Sequence, residues 1–317
     1  MNLPLPDYFT HLVKPFLGTC IKEAQQTTKT MKTTIKITLQ ALILALGVLF
    51  FTACDDENNS SIDTSEEDIE IFSDATSANS YADEDLELAE LVTESDNTSG
   101  GRSASPHLPE CATVIKDQEN HQIVINFGES CIGPFGRERS GKIIISYGGE
   151  FNDHTANRTF SFDNYKVNNR SISGMIYLRD FNRNEAGLLT ATRSLEDYTV
   201  TFPNGNSVVL NGSMLREWIV GEGDGDLTTN AFRLTGSYEG ISTRGITYTH
   251  TITEPVIARF SCRAQGGFLR TAGIVEMVRS NENRNQQRVR EIRYGDDTCD
   301  NAFTIVINGR EFTITED

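Results

Sequence analysis

Four cysteines, Cys111, Cys131, Cys262 and Cys299, are the residues of this 317-residue chain best placed to do covalent chemistry. An even number with no Cys-x-x-Cys pair points to disulfides rather than to a metal site, and four cysteines allow three pairings. Each sequential pair brackets adjacent strand-like segments, so Cys111 with Cys131 and Cys262 with Cys299 is the pairing expected. A second set is basic: Arg279, Arg284, Arg288, Arg290 and Arg293 surround one polar turn. Arg288 and Arg290 at alternate positions would share a sheet face, with Arg293 near, and could offer bidentate donors to a carboxylate, sulfate or phosphate. Cross-strand pairing with Glu276, Glu282 and Glu291 is the structural alternative.

The remaining motifs lack parts. Gly136 to Lys142 spells GxxxxGK, yet Ile143 stands where a magnesium-binding hydroxyl is needed and IIISYGG continues as a strand,. Asp180, Asn182 and Asn184 alternate as in a calcium loop, but Glu185 and Ala191 replace its Gly and bidentate Glu. The loop Gly221 to Asp226 meets Arg233 and Thr235 in place of a closing carboxylate,. GxSxG, SxxK and HExxH do not occur. His121 and His250 fall in alternating segments, and Asp153-His154 in a polar turn is the best acid–base candidate. No catalytic residue, cofactor or metal is therefore assigned. Residues 111–317 hold 26 acids against 22 bases without a basic stripe, which disfavours nucleic acid,.

Cys54 carries a different chemistry. Lys29, Lys32 and Lys36 precede the uncharged run Ala41 to Phe51, and Ala53 stands directly before Cys54. The run is too short to span a bilayer, which takes about 20 residues. With Phe51-Thr52-Ala53-Cys54 in the lipobox position, the segment resembles a bacterial lipoprotein signal, although Phe51 replaces the usual Leu. The resemblance implies diacylglycerylation of the Cys54 thiol and cleavage before it, hence a membrane partner through that anchor. Asp55-Asp56-Glu57 resembles the acidic export signal of surface lipoproteins in the Bacteroidota. Residues 1–30 lie upstream of a signal that is complete from Met31, which is the expected start.

Charge then divides the chain into 1–53, 54–110 and 111–317. Residues 54–110 carry 17 acids and the single base Arg102. So much like charge with so few apolar residues predicts an extended, solvated tether. Within it, helix formers from Ser80 to Val92, a Ser80-x-x-Asp83 start, and Leu88, Leu91 and Val92 on one face predict a short helix.

From Cys111 onward, roughly a dozen short apolar or alternating segments are separated by turn residues such as Pro203-Asn204-Gly205-Asn206 and Asn308-Gly309. Short connections join only antiparallel neighbours. The fold expected is all-β: an antiparallel meander forming a curved sheet, half-barrel or two-layer sandwich, with a short N-terminal helix. The segments GRERSGKIIISYGGEF, SISGMIYLRDF, RLTGSYEG and RYGDDTCDNAFTIVINGREFTI together resemble an uncharacterised Bacteroidota-type envelope lipoprotein. That resemblance implies an extracytoplasmic β domain at the outer membrane and transfers no active site. The functional expectation is a non-catalytic binding or structural envelope component with a glycan, lipid or protein partner. The alternative is a carrier of hydrophobic ligands or an envelope hydrolase, and a cavity enclosed by the sheet would favour the carrier.

Overall fold

The structure, a computed structural model, describes residues 59–94 and 108–315, apart from 134–135, 150–152, 154, 225, 266–268, 281–289 and 301. Residues 59–317 form one compact unit. Its framework is a single sheet of 13 antiparallel strands in which spatial order equals sequence order. The strands are β1 (Thr113–Asp117), β2 (Gln122–Ile132), β3 (Glu138–Gly148), β4 (Asn157–Val167), β5 (Arg170–Arg183), β6 (Leu189–Thr201) and β7 (Ser207–Val220). They continue as β8 (Ala231–Ile241), β9 (Thr247–Arg259), β10 (Arg270–Arg279), β11 (Arg290–Asp296), β12 (Ala302–Ile307) and β13 (Arg310–Thr315). The sheet does not close, and β1 and β13 are its edges.

The meander follows from its turn chemistry. Pro203-Asn204-Gly205 turns β6 into β7, with Gly205 N–H donating to the Phe202 carbonyl at 2.9 Å, and Asn308-Gly309 turns β12 into β13,. β1 carries no long apolar run and pairs only with β2, so tertiary pairing rather than pattern creates it. Pro255 lies inside a single strand, β9. Register shifts near Pro255 let the ladder pass a residue that has no N–H to donate,.

Curvature has a local cause as well. Register shifts recur from strand to strand, at Gly141 against Asp163 and Asn164, and at Gly174 against Asp197. Both glycines have positive φ, and a Cβ on either would overlap the backbone of the facing strand. Such bulges bend a sheet and increase its twist.

The sheet curls around one helix, α1 (Asn59–Glu94), which spans 36 residues, or about 54 Å at the usual rise,. It passes straight through Ser80, so the tether expected over 54–110 is corrected for residues 59–94, and the helix is much longer than Ser80 to Val92. The stretch has no Gly or Pro and is rich in Glu, with Ala and Leu among its other residues, which permits a long helix,. Six consecutive residues, Tyr81 to Leu86, are buried, so walls surround α1 through more than a full turn,. Ile71, Phe72, Ala75, Ala78, Ala82, Ala89 and Val92 join one core with Ile123, Ile143, Phe160, Tyr198, Leu210, Val256, Met277, Ile292 and Ile305 from the strands.

Two disulfides tie strand ends. Cys111 and Cys131 lie 5.6 Å apart between Cα atoms, and Cys262 and Cys299 lie 5.0 Å apart. The expected pairing is the one present. The first bond fastens the start of the sheet onto β2, and the second joins the turn after β9 to the loop before β12.

Candidate functional site

The chemistry-bearing side chains converge on the inner face of the sheet, along α1. Five of the buried strand arginines reach the helix: Arg139 from β3, Arg193 from β6, Arg216 from β7, Arg270 from β10 and Arg290 from β11, each at most 6% exposed. They meet the carboxylates of α1 in order along the helix. Near its first turns, Asp68 takes Arg290 Nε at 2.9 Å and Arg279 Nη1 at 3.1 Å, and Glu67 takes Arg279 at 2.9 Å. Farther on, Asp83 is shared by Arg193 Nη1 at 2.5 Å and Arg270 Nε at 2.9 Å. Glu84 bridges Arg137 at 2.8 Å and Arg139 at 3.1 Å. Glu90 takes Arg216 through two parallel bonds of 2.5 and 2.7 Å, while that guanidinium lies over the Phe232 ring at 3.4 Å,.

The charge states differ along this seam. Burial opposes ionisation of Asp83, but Arg270 and Arg193 outweigh it and hold the carboxyl below its ordinary range,. Asp85, two residues on, accepts the hydroxyls of Tyr165 at 2.8 Å and Tyr198 at 2.9 Å. Burial dominates there and pushes it up to about 7, against the opposing pull of the two tyrosines and Arg139. A carboxyl near 7 is a signature of acid–base catalysis. Asp85, however, is 2% exposed and both its oxygens already accept phenolic hydroxyls, which fits a structural acid better than one facing a substrate.

A third group lies between β8, β9 and the helix. Asn79 Nδ2 donates to the Tyr238 hydroxyl at 2.7 Å, and that hydroxyl meets His250 Nδ1 in a short hydrogen bond. The His250 ring stacks on Phe72, and burial, with Arg270 adding to it, pushes its pKa down to about 3. A neutral imidazole wedged in this way fills core space.

The residues singled out from the sequence fare unevenly. Arg288 lies outside the described residues. Arg290 does not share an open face with a ligand: it is 1% exposed and paired with Asp68. Arg293 points to the opposite side and pairs with Glu291 at 2.8 Å and Glu311 at 3.2 Å. The proposed arginine site is thus divided by the pleat of β11, which sends odd and even positions to opposite faces. Cys54 and His154 also lie outside the described residues. Asp153 accepts from Thr155 as a turn former.

Gly141 and Lys142 belong to β3, where Lys142 pairs with Asp163 at 2.9 Å. Asn184 Oδ1 accepts from Ala186 and Leu188 N–H groups, and Asp224 and Asp226 accept from Thr229 and Thr228, all as turn caps,. His121 is a left-handed turn residue, not a strand residue.

Comparison with known proteins adds no relative. No protein-family model, curated protein or solved structure matches the chain. Function must therefore be argued from the seam itself. Sequence reading missed Arg139, Arg193, Arg216 and Arg270 with their partners Asp83, Glu84 and Glu90. A signal existed: Arg193 stands in phase with Ala191 and Leu195, and Arg216 with Met214 and Trp218, the apolar positions of their strands. An arginine in the apolar phase must find a buried carboxylate, and the acid-rich stretch upstream was the available source.

Proposed function

We propose that this chain is a lipid-anchored protein of the cell envelope that acts without catalysis, as a binding or structural component. In this reading Cys54 carries the anchor, and the outer face of the sheet is the surface offered to a glycan, lipid or protein partner at the outer membrane. The observation that carries it is the filling of the inner face by α1. The two voids described between helix and sheet measure about 20 and 10 Å3. Small-molecule sites are usually a few hundred Å3 or larger, so the carrier alternative draws no support from them. The inner carboxylates are committed to guanidinium or phenol groups, which supports a structural role for this seam over a hydrolytic one. Two disulfides fit an oxidising compartment,.

Residues 59–94, read from their charge as a spacer, are part of the β unit. The test is expression of Cys54→Ser in a bacterial host that processes lipoproteins. The expected result is loss of lipid labelling and release from the membrane fraction, with the β unit still folded. Labelling that persists in the variant would overturn the anchor. Turnover of esters, peptides or glycans by the purified protein would overturn the non-catalytic reading.

A further inference from the structure

The ionic seam is not electrically balanced where it is deepest. Asp83 serves two buried cations, Arg193 and Arg270, and among the described residues Glu90 pairs with Arg216 alone. Three guanidinium groups therefore face two carboxylates. Arg270 completes its bonding with the Tyr294 hydroxyl and Asn79 Oδ1, both at 3.3 Å. Arg193 does not. At 1% exposure it uses Nη1 on Asp83, while Nε and Nη2 have no hydrogen-bond partner among the described residues. A buried guanidinium that is under-bonded and shares its counter-ion is strongly disfavoured. Burial and the neighbouring Arg270 and Arg216 all act to destabilise the charged form of Arg193, opposed by Asp83 and, less, by Tyr198.

A cavity of about 20 Å3 lies against this group. Its lining includes Asp83, Arg193 and Arg216 together with Leu86, Phe232 and Leu269. Guanidinium groups donate hydrogen bonds and accept none, and the Asp83 oxygens are already engaged,. What the site lacks is therefore an acceptor carrying one negative charge. The volume suits an occupant of about water size and excludes a polyatomic oxyanion such as sulfate. The apolar wall suits a weakly hydrated, polarisable ion. We propose that the cavity between α1 and strands β6 to β9 is a structural site for a single halide ion, chloride in an extracellular medium, held by Arg193 with Arg216 beside it.

The site would tie α1 to the sheet at a point where its own carboxylates do not suffice. Binding to the folded state alone raises stability with ligand concentration. The full chain in detergent would be melted at constant ionic strength, with chloride replacing gluconate from 10 mM to 1 M. The expected result is a rise of about 5 °C, reproduced by bromide and absent in Arg193→Met. Equal melting in chloride and gluconate, or a halide response kept in Arg193→Met, would overturn the proposal. Should the variant fail to fold, bromide-soaked crystals of the unaltered protein give an independent answer. An anomalous peak in hydrogen-bond range of Arg193 Nε and Nη2 supports the site, and water alone at that position overturns it.

Discussion

Arg290 and Arg293 stand three residues apart on one short strand and have opposite energetic meanings. Arg290 lies on the inner face at 1% exposure, paired with the fully buried Asp68 of α1. Arg293 lies on the outer face, its side chain 43% exposed, bridging Glu291 and Glu311 in contact with solvent. The same residue type in the same strand is in one case a link in the core and in the other a screened surface ion. Removing one partner of a buried pair costs about 3–5 kcal/mol because it strands the other charge, whereas an exposed pair contributes about 0–1 kcal/mol. The inner face must therefore be satisfied by α1, and the outer face is free to vary.

The largest test of this contrast is removal of the helix. Deleting residues 59–94 should leave the inner arginines without counter-ions and the core of Phe72, Ala82 and Val92 without its centre, so the 108–317 remainder should show no cooperative melting transition. A remainder that melts within a few degrees of the intact protein would mean that the helix is an accessory and that the two faces do not differ as described.

Next in size is a single helix carboxylate. Asp83→Ala should destabilise by about 3–5 kcal/mol, since it leaves both Arg193 and Arg270 uncompensated, and Asp83→Ala with Arg270→Met should recover part of that loss. Chemical denaturation of the single and double variants measures it. Reduction of the disulfides belongs to the same range: the loops span 20 and 37 residues, and each bond should contribute about 3–4 kcal/mol on the chain-entropy model,.

The pH dependence sharpens the comparison within α1. The folded Asp85 is raised from its ordinary value to about 7, so its contribution is fully present below about pH 4 and is lost as pH rises through about 7,. Asp83, held below its ordinary range, contributes above about pH 4 and loses that as the pH falls,. Stability should therefore decline between about pH 4 and 7 by an amount on the order of a few kcal/mol,. Asp85→Asn, which keeps an acceptor and a donor for the two tyrosines, should flatten that decline. A slope unchanged in Asp85→Asn would assign the effect to another group.

The smallest effect is expected on the outer face. Arg293→Ala should change stability by less than about 1 kcal/mol, and the change should shrink in high salt. A loss as large as that of Asp83→Ala would erase the distinction between the faces.

The sequence by itself determined the strand-by-strand architecture and the disulfides, because both rest on local rules. Alternation with a period of two marks each strand, Asn-Gly pairs mark hairpin tips, and cysteines bracketing neighbouring segments of a meander are brought together by it. It did not reveal α1 beyond Ser80 to Val92. A helix on a flat surface shows an apolar stripe, but one wrapped by a curved sheet is buried around its circumference, and α1 buries Asp83, Glu84 and Asp85 as consecutive residues. The usual periodicity is then absent, and 17 acids in one stretch read as a solvated tether. Only the tertiary structure decided otherwise, by setting those acids against arginines from strands more than 50 residues away in the chain. A buried charge is intelligible only with its partner, and that partner is supplied by the curvature of the sheet rather than by any neighbour in sequence.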